Sequence, residues 1–156
     1  MHKPNADSCH LLLLLCMKLC ESNPEDAPSA YPMYTTAKRL CAAAEMAGYI
    51  SVRLVQSFVL VAIYELSHGL HSAAFLTIGH AGRLSVLALG LPTYDHGQNL
   101  FKKPETWTQW EERRRTWWAI FLLDRFVQQP LVISNMSSYM IHAGSSTPII
   151  YSSNSL

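Results

Sequence analysis

Three evenly spaced glycines do most to limit what this chain can become. Gly48, Gly69 and Gly90 are each 21 residues from the next, and each closes a stretch whose apolar residues recur at helical spacing. Glycine enters the left-handed conformation that ends a helix without the penalty of a β-carbon, so the three read as helix stops. A helix from about Thr35 to Ala47 sets Leu40, Ala43, Ala44 and Ala47 on one face. Ser51 caps the next, which presents Val52, Val55, Val59, Ala62 and Leu66 and ends near His68-Gly69. A third starts near Ser72, presents Ala74, Ile78, Ala81, Ser85 and Ala88, and ends at Gly90 with Pro92 two residues beyond. Helices of similar length on short turns stack antiparallel. The segments share little sequence, and their period is shorter than a tetratricopeptide unit, so they predict a bundle and not a repeat array.

Leu11 to Met17 forms another apolar run, but Lys18 interrupts it and no small-residue cleavage site follows. It is too short to cross a bilayer and reads as a buried helix, with a secretory signal as the lesser alternative. Ser22 to Pro32 holds three of the eight prolines and reads as a loop, as does the polar stretch Tyr94 to Thr106. Thr108 and Glu111 fit a capping box that starts a helix running to about Gln129, where Pro130 stops it. Eight serines crowd the last 23 residues, with no helical period. The expected architecture is therefore all-α: an antiparallel bundle of about five helices over residues 1–130, then an irregular or disordered serine-rich tail over 131–156.

Within the last helix, Glu111 to Phe126 reads EERRRTWWAIFLLDRF. At 100° per residue its aromatic and aliphatic side chains cover the whole circumference, which predicts a central core helix. Arg114, Trp118, Phe121 and Arg125 follow one stripe, and Arg113, Trp117, Ile120 and Asp124 run beside it. Charge inside such a helix needs partners. Glu111 and Arg115 form a favourable i, i+4 pair, the other arginines are expected to bridge helices or cover aromatic rings, and Asp124 is expected to pair with Arg83. Three successive arginines fan over about 200° of arc, so they cannot all face one phosphate ribbon.

The 156 residues are 49% hydrophobic and 15% charged, enough for a real core and unlike a disordered chain. A net charge of +1 gives no field that would steer the chain to nucleic acid or to an acidic membrane. Cys9, Cys16, Cys20 and Cys41 match neither a paired zinc motif nor a disulfide framework, and read as reduced packing residues. His68 and His71 lack a third ligand at useful spacing, so no metal is expected. No nucleophile motif is present, and the glycines of Gly79 to Arg83 lie inside a helix where they cannot cradle phosphate. Trp107, Trp110, Trp117 and Trp118 read as packing, with a small-molecule pocket left open.

In order, MYTTAK (Met33 to Lys38), LVQSFVLVAIYELSHG (Leu54 to Gly69), AAFLTIGHAGRLSVLALGL (Ala73 to Leu91) and EERRRTWWAIFLLDR (Glu111 to Arg125) form a recognisable series. It resembles the middle homology region of fungal zinc-cluster transcription factors, the fungal-specific transcription factor domain, across about Leu11 to Val127. The resemblance implies a non-enzymatic, all-α regulatory domain in the nucleus, serving transcription by RNA polymerase II and answering to protein partners or a small-molecule effector. The family's motif positions fall on Arg83, Gly90, Leu91, Glu111, Arg113, Arg114, Arg115, Trp117, Trp118, Asp124 and Arg125, which the resemblance makes architectural and not catalytic.

In that family a six-cysteine zinc cluster reads the DNA, and this chain lacks its CxxC pattern. The resemblance thus implies no cofactor here, DNA contact only through a missing cluster, and no membrane partner. After Arg125 the family continues through a GRP turn into more helices, of which Gln128 to Ile133 keeps only an echo. The chain therefore reads as a fragment, a truncated paralogue or a misread gene end whose apolar helix lacks cover. Two other readings are a non-functional truncated product and a small helical enzyme or ligand-binding protein.

Overall fold

A computed structural model describes residues 6–22, 27–89 and 104–144, with side chains over 8–22, 31–89 and 104–128. Among these the chain is all-α, with five helices: α1 (Ala6–Cys20), α2 (Ala27–Met46), α3 (Val52–Ser67), α4 (His71–Leu89) and α5 (Trp107–Gly144). The stops at Gly48 and Gly69 are confirmed, with φ of 75° and 72°. At each, the two amides after the helix turn back onto its last carbonyls. Gly48 and Tyr49 donate to Glu45 and Ala44, and Gly69 and Leu70 donate to Leu66 and Glu65. Ser51 caps α3, its Oγ accepting from the Leu54 amide at 3.2 Å. Gly90 lies outside the described residues.

α3 is the central element and packs against all four other helices. Leu54, Val55, Val61 and Ala62 have no exposed surface, and Cys16 and Leu19 of α1, Cys41 of α2 and Ile78 of α4 close around them. The five residues expected to form the inner face of α4 are all buried. α4 is long and apolar enough to cross a membrane by length and composition alone. Its buried seam against α3 and α5 is that of a bundle helix.

Four expectations are corrected. α2 begins at Ala27, inside the expected loop, and carries Pro32 within it; the Thr35 and Thr36 hydroxyls both donate to the Pro32 carbonyl. Its inner face is Ala37 and Cys41, with Ala44 half-buried, while Leu40, Ala43 and Ala47 face water. A run of alanines offers little contrast between faces, so contacts with α1 and α3 decide the rotation. α5 does not stop before Pro130 but continues to Gly144. A proline removes one hydrogen bond from the ladder, and the turns on either side can still hold the helix. The remainder of the expected tail, 145–156, lies outside the described residues.

The fourth correction concerns position. α5 is a flank and not the centre: Thr116, Ile120 and Val127 are buried, whereas Trp107, Trp110, Trp118, Phe121, Leu122 and Phe126 are exposed. An all-round apolar helix needs neighbours all round, and α3 and α4 cover only one side of it.

Candidate functional site

Among the described residues, two of the arrangements that bring chemistry-bearing side chains together involve the family's motif segments. The first lies where α2, α3 and α4 meet. Glu65 has no exposed surface, and its Oε1 accepts from Tyr34 Oη at 2.7 Å and Lys38 Nζ at 2.8 Å. Lys38 also donates to Thr77 Oγ1 at 2.9 Å, and Thr77 in turn donates to the Ala73 carbonyl. Glu65 Oε2 is buried and has no hydrogen-bond partner among the described residues. Aromatic rings wall the cluster: Tyr34 stacks on Tyr64 at 5.2 Å between centroids, and Tyr64 on His68 at 3.9 Å.

Burial first, and the bond to Glu65 second, push the Tyr34 phenol well above its usual range. Its proton is thus held for donation to the carboxylate. Through this carboxylate, which has no exposed surface, the cluster joins α2, α3 and α4. Isolated, that charge would cost several kcal/mol to bury.

The sequence motifs contain Tyr34, Lys38 and Glu65, yet no role attached to them from sequence alone. The available signal was Glu65 itself, an acidic residue in the apolar run from Phe58 to Leu66.

The second arrangement is the first half of α5. Thr106, not Thr108, accepts from the Gln109 amide, and Gln109 Oε1 reaches back to the Glu105 amide at 2.9 Å. Glu111 is thereby released from capping. It accepts both Arg114 Nε and Nη2 at 2.8 Å, and Arg115 Nε at 2.7 Å, which confirms the i, i+4 pair. These guanidiniums, Arg114 first, hold its carboxyl down at about 2. Arg113 crosses between helices, donating from Nη1 to the Leu89 carbonyl in the last turn of α4 at 3.2 Å.

Asp124 does not pair with Arg83. Its Oδ2 accepts from Gln128 at 2.7 Å and lies 3.8 Å from Arg125, both on its own helix. Arg83 is exposed on α4, where its guanidinium folds back toward Gly79. Rotation of α4 leaves the two charges on faces that do not meet. Arg125 instead sits 5.5 Å from the Phe121 ring centroid. Trp117 is half-buried and stacks on Phe121 at 5.6 Å, and Trp118 meets both rings edge-on at 5.2 and 5.7 Å. Gly90 and Leu91 lie outside the described residues.

The cysteines are free thiols, three of them buried. Cys20 donates to the Leu60 carbonyl at 3.2 Å, and burial pushes its thiol up to about 11. A hydrogen bond with Cys16, then burial, pushes Cys41 up as well. The same hydrogen bond with Cys41 lowers Cys16, so it is Cys20 and Cys41 that are held protonated and made poor nucleophiles. Among the described residues no group of three histidine, cysteine or acidic side chains converges on a point that would hold a metal.

Among the described residues this geometry is a bundle joined by a buried polar cluster, with aromatic and arginine side chains exposed on α5. The family model for the fungal specific transcription factor domain matches residues 3–128. The chain belongs to that family. A relative described as "Transcription factor BOA15" from Botryotinia fuckeliana (strain B05.10) is 43% identical over 105 residues, which cover 67% of this chain and 58% of the relative. A second, "Ascochitine biosynthesis cluster transcriptional regulator" from Didymella fabae, is 32% identical over 79 residues, 45% of this chain and 12% of that protein. The chain thus spans little more than half the length of the first relative and about an eighth of the second. No solved structure matches the chain.

Both arrangements fall within the part of the chain that the fungal transcription factor domain model covers. Membership of this family, with two relatives described as transcriptional regulators, associates the chain with regulation of transcription.

Proposed function

We propose that this chain is the regulatory and interaction module of a fungal-type transcription factor, acting in the nucleus on transcription by RNA polymerase II. DNA is contacted by a zinc cluster that the present residues do not include, and the module carries no cofactor of its own. In this reading the motif residues Arg83, Gly90, Leu91, Glu111, Arg113 to Arg115, Trp117, Trp118, Asp124 and Arg125 are architectural. The observation that carries it is the family match across residues 3–128. Two features of the fold support it. The buried polar cluster ties helices together without an accessible reactive group, and large apolar residues stay exposed on α5, as on a surface that meets a partner.

The test is a fusion of this chain to a heterologous DNA-binding domain in a filamentous fungus, with a reporter downstream of the matching site. Reporter output should change relative to the DNA-binding domain alone, and a fluorescent version should concentrate in the nucleus. Unchanged output from a folded, nuclear fusion would overturn the reading.

A further inference from the structure

The outward face of α5 has a specific composition. Trp107, Trp110, Arg114, Trp118, Phe121 and Arg125 fall within about 80° of arc at 100° per residue, opposite the buried Thr116, Ile120 and Val127. From Trp107 to Arg125 the stripe runs about 27 Å at 1.5 Å per residue. All six of its residues are exposed. Exposed apolar surface on this scale marks an interaction site.

Charge on the stripe is one-sided. Side-chain exposure is 62% for Arg114, 76% for its neighbour Arg115 and 63% for Arg125, against 17% for Glu111 and 30% for Asp124. Both acids are drawn down onto the helix by Arg114, Arg115 and Gln128. Glu112 turns toward Gln56 of α3, which donates to it at 3.0 Å. What the stripe shows to solvent is therefore guanidinium set among aromatic rings. A second copy of the same face would set arginine against arginine, whereas an acidic partner would not. The ring cluster of Trp118 and Phe121, with Trp117 behind it, is already packed, so little side-chain ordering remains to be done on binding. Tryptophan and arginine are also the residues that dominate binding at the centre of interfaces.

We propose that this face of α5 docks an acidic amphipathic helix, one with glutamate or aspartate flanking an apolar stripe of leucine and phenylalanine. The apolar stripe lies on Trp118 and Phe121, and the flanking carboxylates meet Arg114, Arg115 and Arg125. The inference rests on the interaction-module reading, names the partner's chemistry, and gives the exposed motif residues Arg114, Arg115, Trp118 and Arg125 a docking role beside their architectural one. Its test is a binding measurement, so its failure is distinct from failure of the reporter experiment.

The probe is a fluorescently labelled synthetic helical peptide with glutamates flanking leucine and phenylalanine at i, i+3, i+4 and i+7 positions, titrated with the full chain. Two control peptides replace the glutamates by lysine, or the leucine and phenylalanine by alanine. Saturable binding of the first peptide is expected, weaker by roughly tenfold or more for both controls. R114E/R125E should reverse the preference toward the lysine peptide, and W118A should weaken both peptides alike, with helicity by circular dichroism unchanged in each variant. The proposal is overturned by no saturable binding, by equal affinity for the glutamate and lysine peptides, or by equal affinity for the alanine control. Tighter binding of phosphatidylserine vesicles or duplex DNA would also overturn it, as would a chain dimer in sedimentation that W118A dissociates.

Discussion

Lys38 Nζ lies 2.8 Å from Glu65 Oε1, and the carboxylate it meets has no exposed surface. The pair joins α2 to α3 across 27 residues of sequence, and through Thr77 it reaches α4. Removing one member of a buried pair strands the other. K38M should therefore cost about 3 kcal/mol in urea unfolding, the lower end of the range for such a loss because Lys38 itself is partly exposed. E65Q should cost less than K38M, since it leaves no unpaired charge in the core. Equal stability of K38M and the parent chain would contradict the pairing.

Tyr34 gives the same cluster an alkaline limit. Its folded pKa lies above the usual value near 10, so its contribution is fully present below about pH 10 and is lost as pH rises through the folded value. Thermal unfolding followed from pH 8 to 11 should show stability falling at the top of this range. Y34F should start about 1 kcal/mol lower at neutral pH, from the lost hydrogen bond, and fall less steeply. Some slope should persist in Y34F, because burial also raises Tyr64.

Glu111 behaves in the opposite sense. Its carboxyl is depressed from 4.5 to about 2, so the Arg114 and Arg115 contacts hold above the unfolded value and are lost as pH falls through about 2. A carboxyl carbon resonance assigned to Glu111 should titrate with a midpoint near 2. In E111Q the first turns of α5 should exchange their amides faster at pH 5 than in the parent. A Glu111 midpoint at 4 or above would dissolve the double contact.

Asp124 is bonded within its own helix, and that sets a low ceiling on its importance. D124N should shift stability by less than about 1 kcal/mol, the scale of a part-exposed contact. A loss of 3 kcal/mol or more in thermal unfolding would restore the buried inter-helix pair that the sequence suggested.

Gly69 and Gly82 should respond to alanine with opposite signs. At Gly69 there is open space for a β-carbon but φ is 72°, so G69A should lose about 1 kcal/mol from backbone strain alone. Gly82 lies inside α4, and a β-carbon there would meet Ile120 Cγ2 at 3.8 Å, an ordinary contact. G82A should gain up to about 1 kcal/mol in chemical denaturation from helix propensity.

Helix existence, the ends at Gly48 and Gly69, the Ser51 cap and the inner face of α4 were all legible in the sequence, because each depends on residues within a turn or two of one another. The Glu111–Arg115 pair belongs to the same class. Its order of motifs also carried the family. The face of α2 was not legible, since consecutive alanines look alike from every side. Neither was the partner of Asp124, which required knowing how α4 is rotated about its own axis.

The largest revision concerns the two helices that compete for the centre. Sequence alone made α5 the core helix, as its apolar residues surround it, and treated the arginines there as the charges to be answered. Tertiary structure placed α3 at the centre, put the buried charge at Glu65, and left the stripe from Trp107 to Arg125 facing water. The physical reason is that local pattern determines what a helix is able to bury. How much it does bury depends on how many neighbours arrive, and among the described residues α5 receives α3 and α4 on one side.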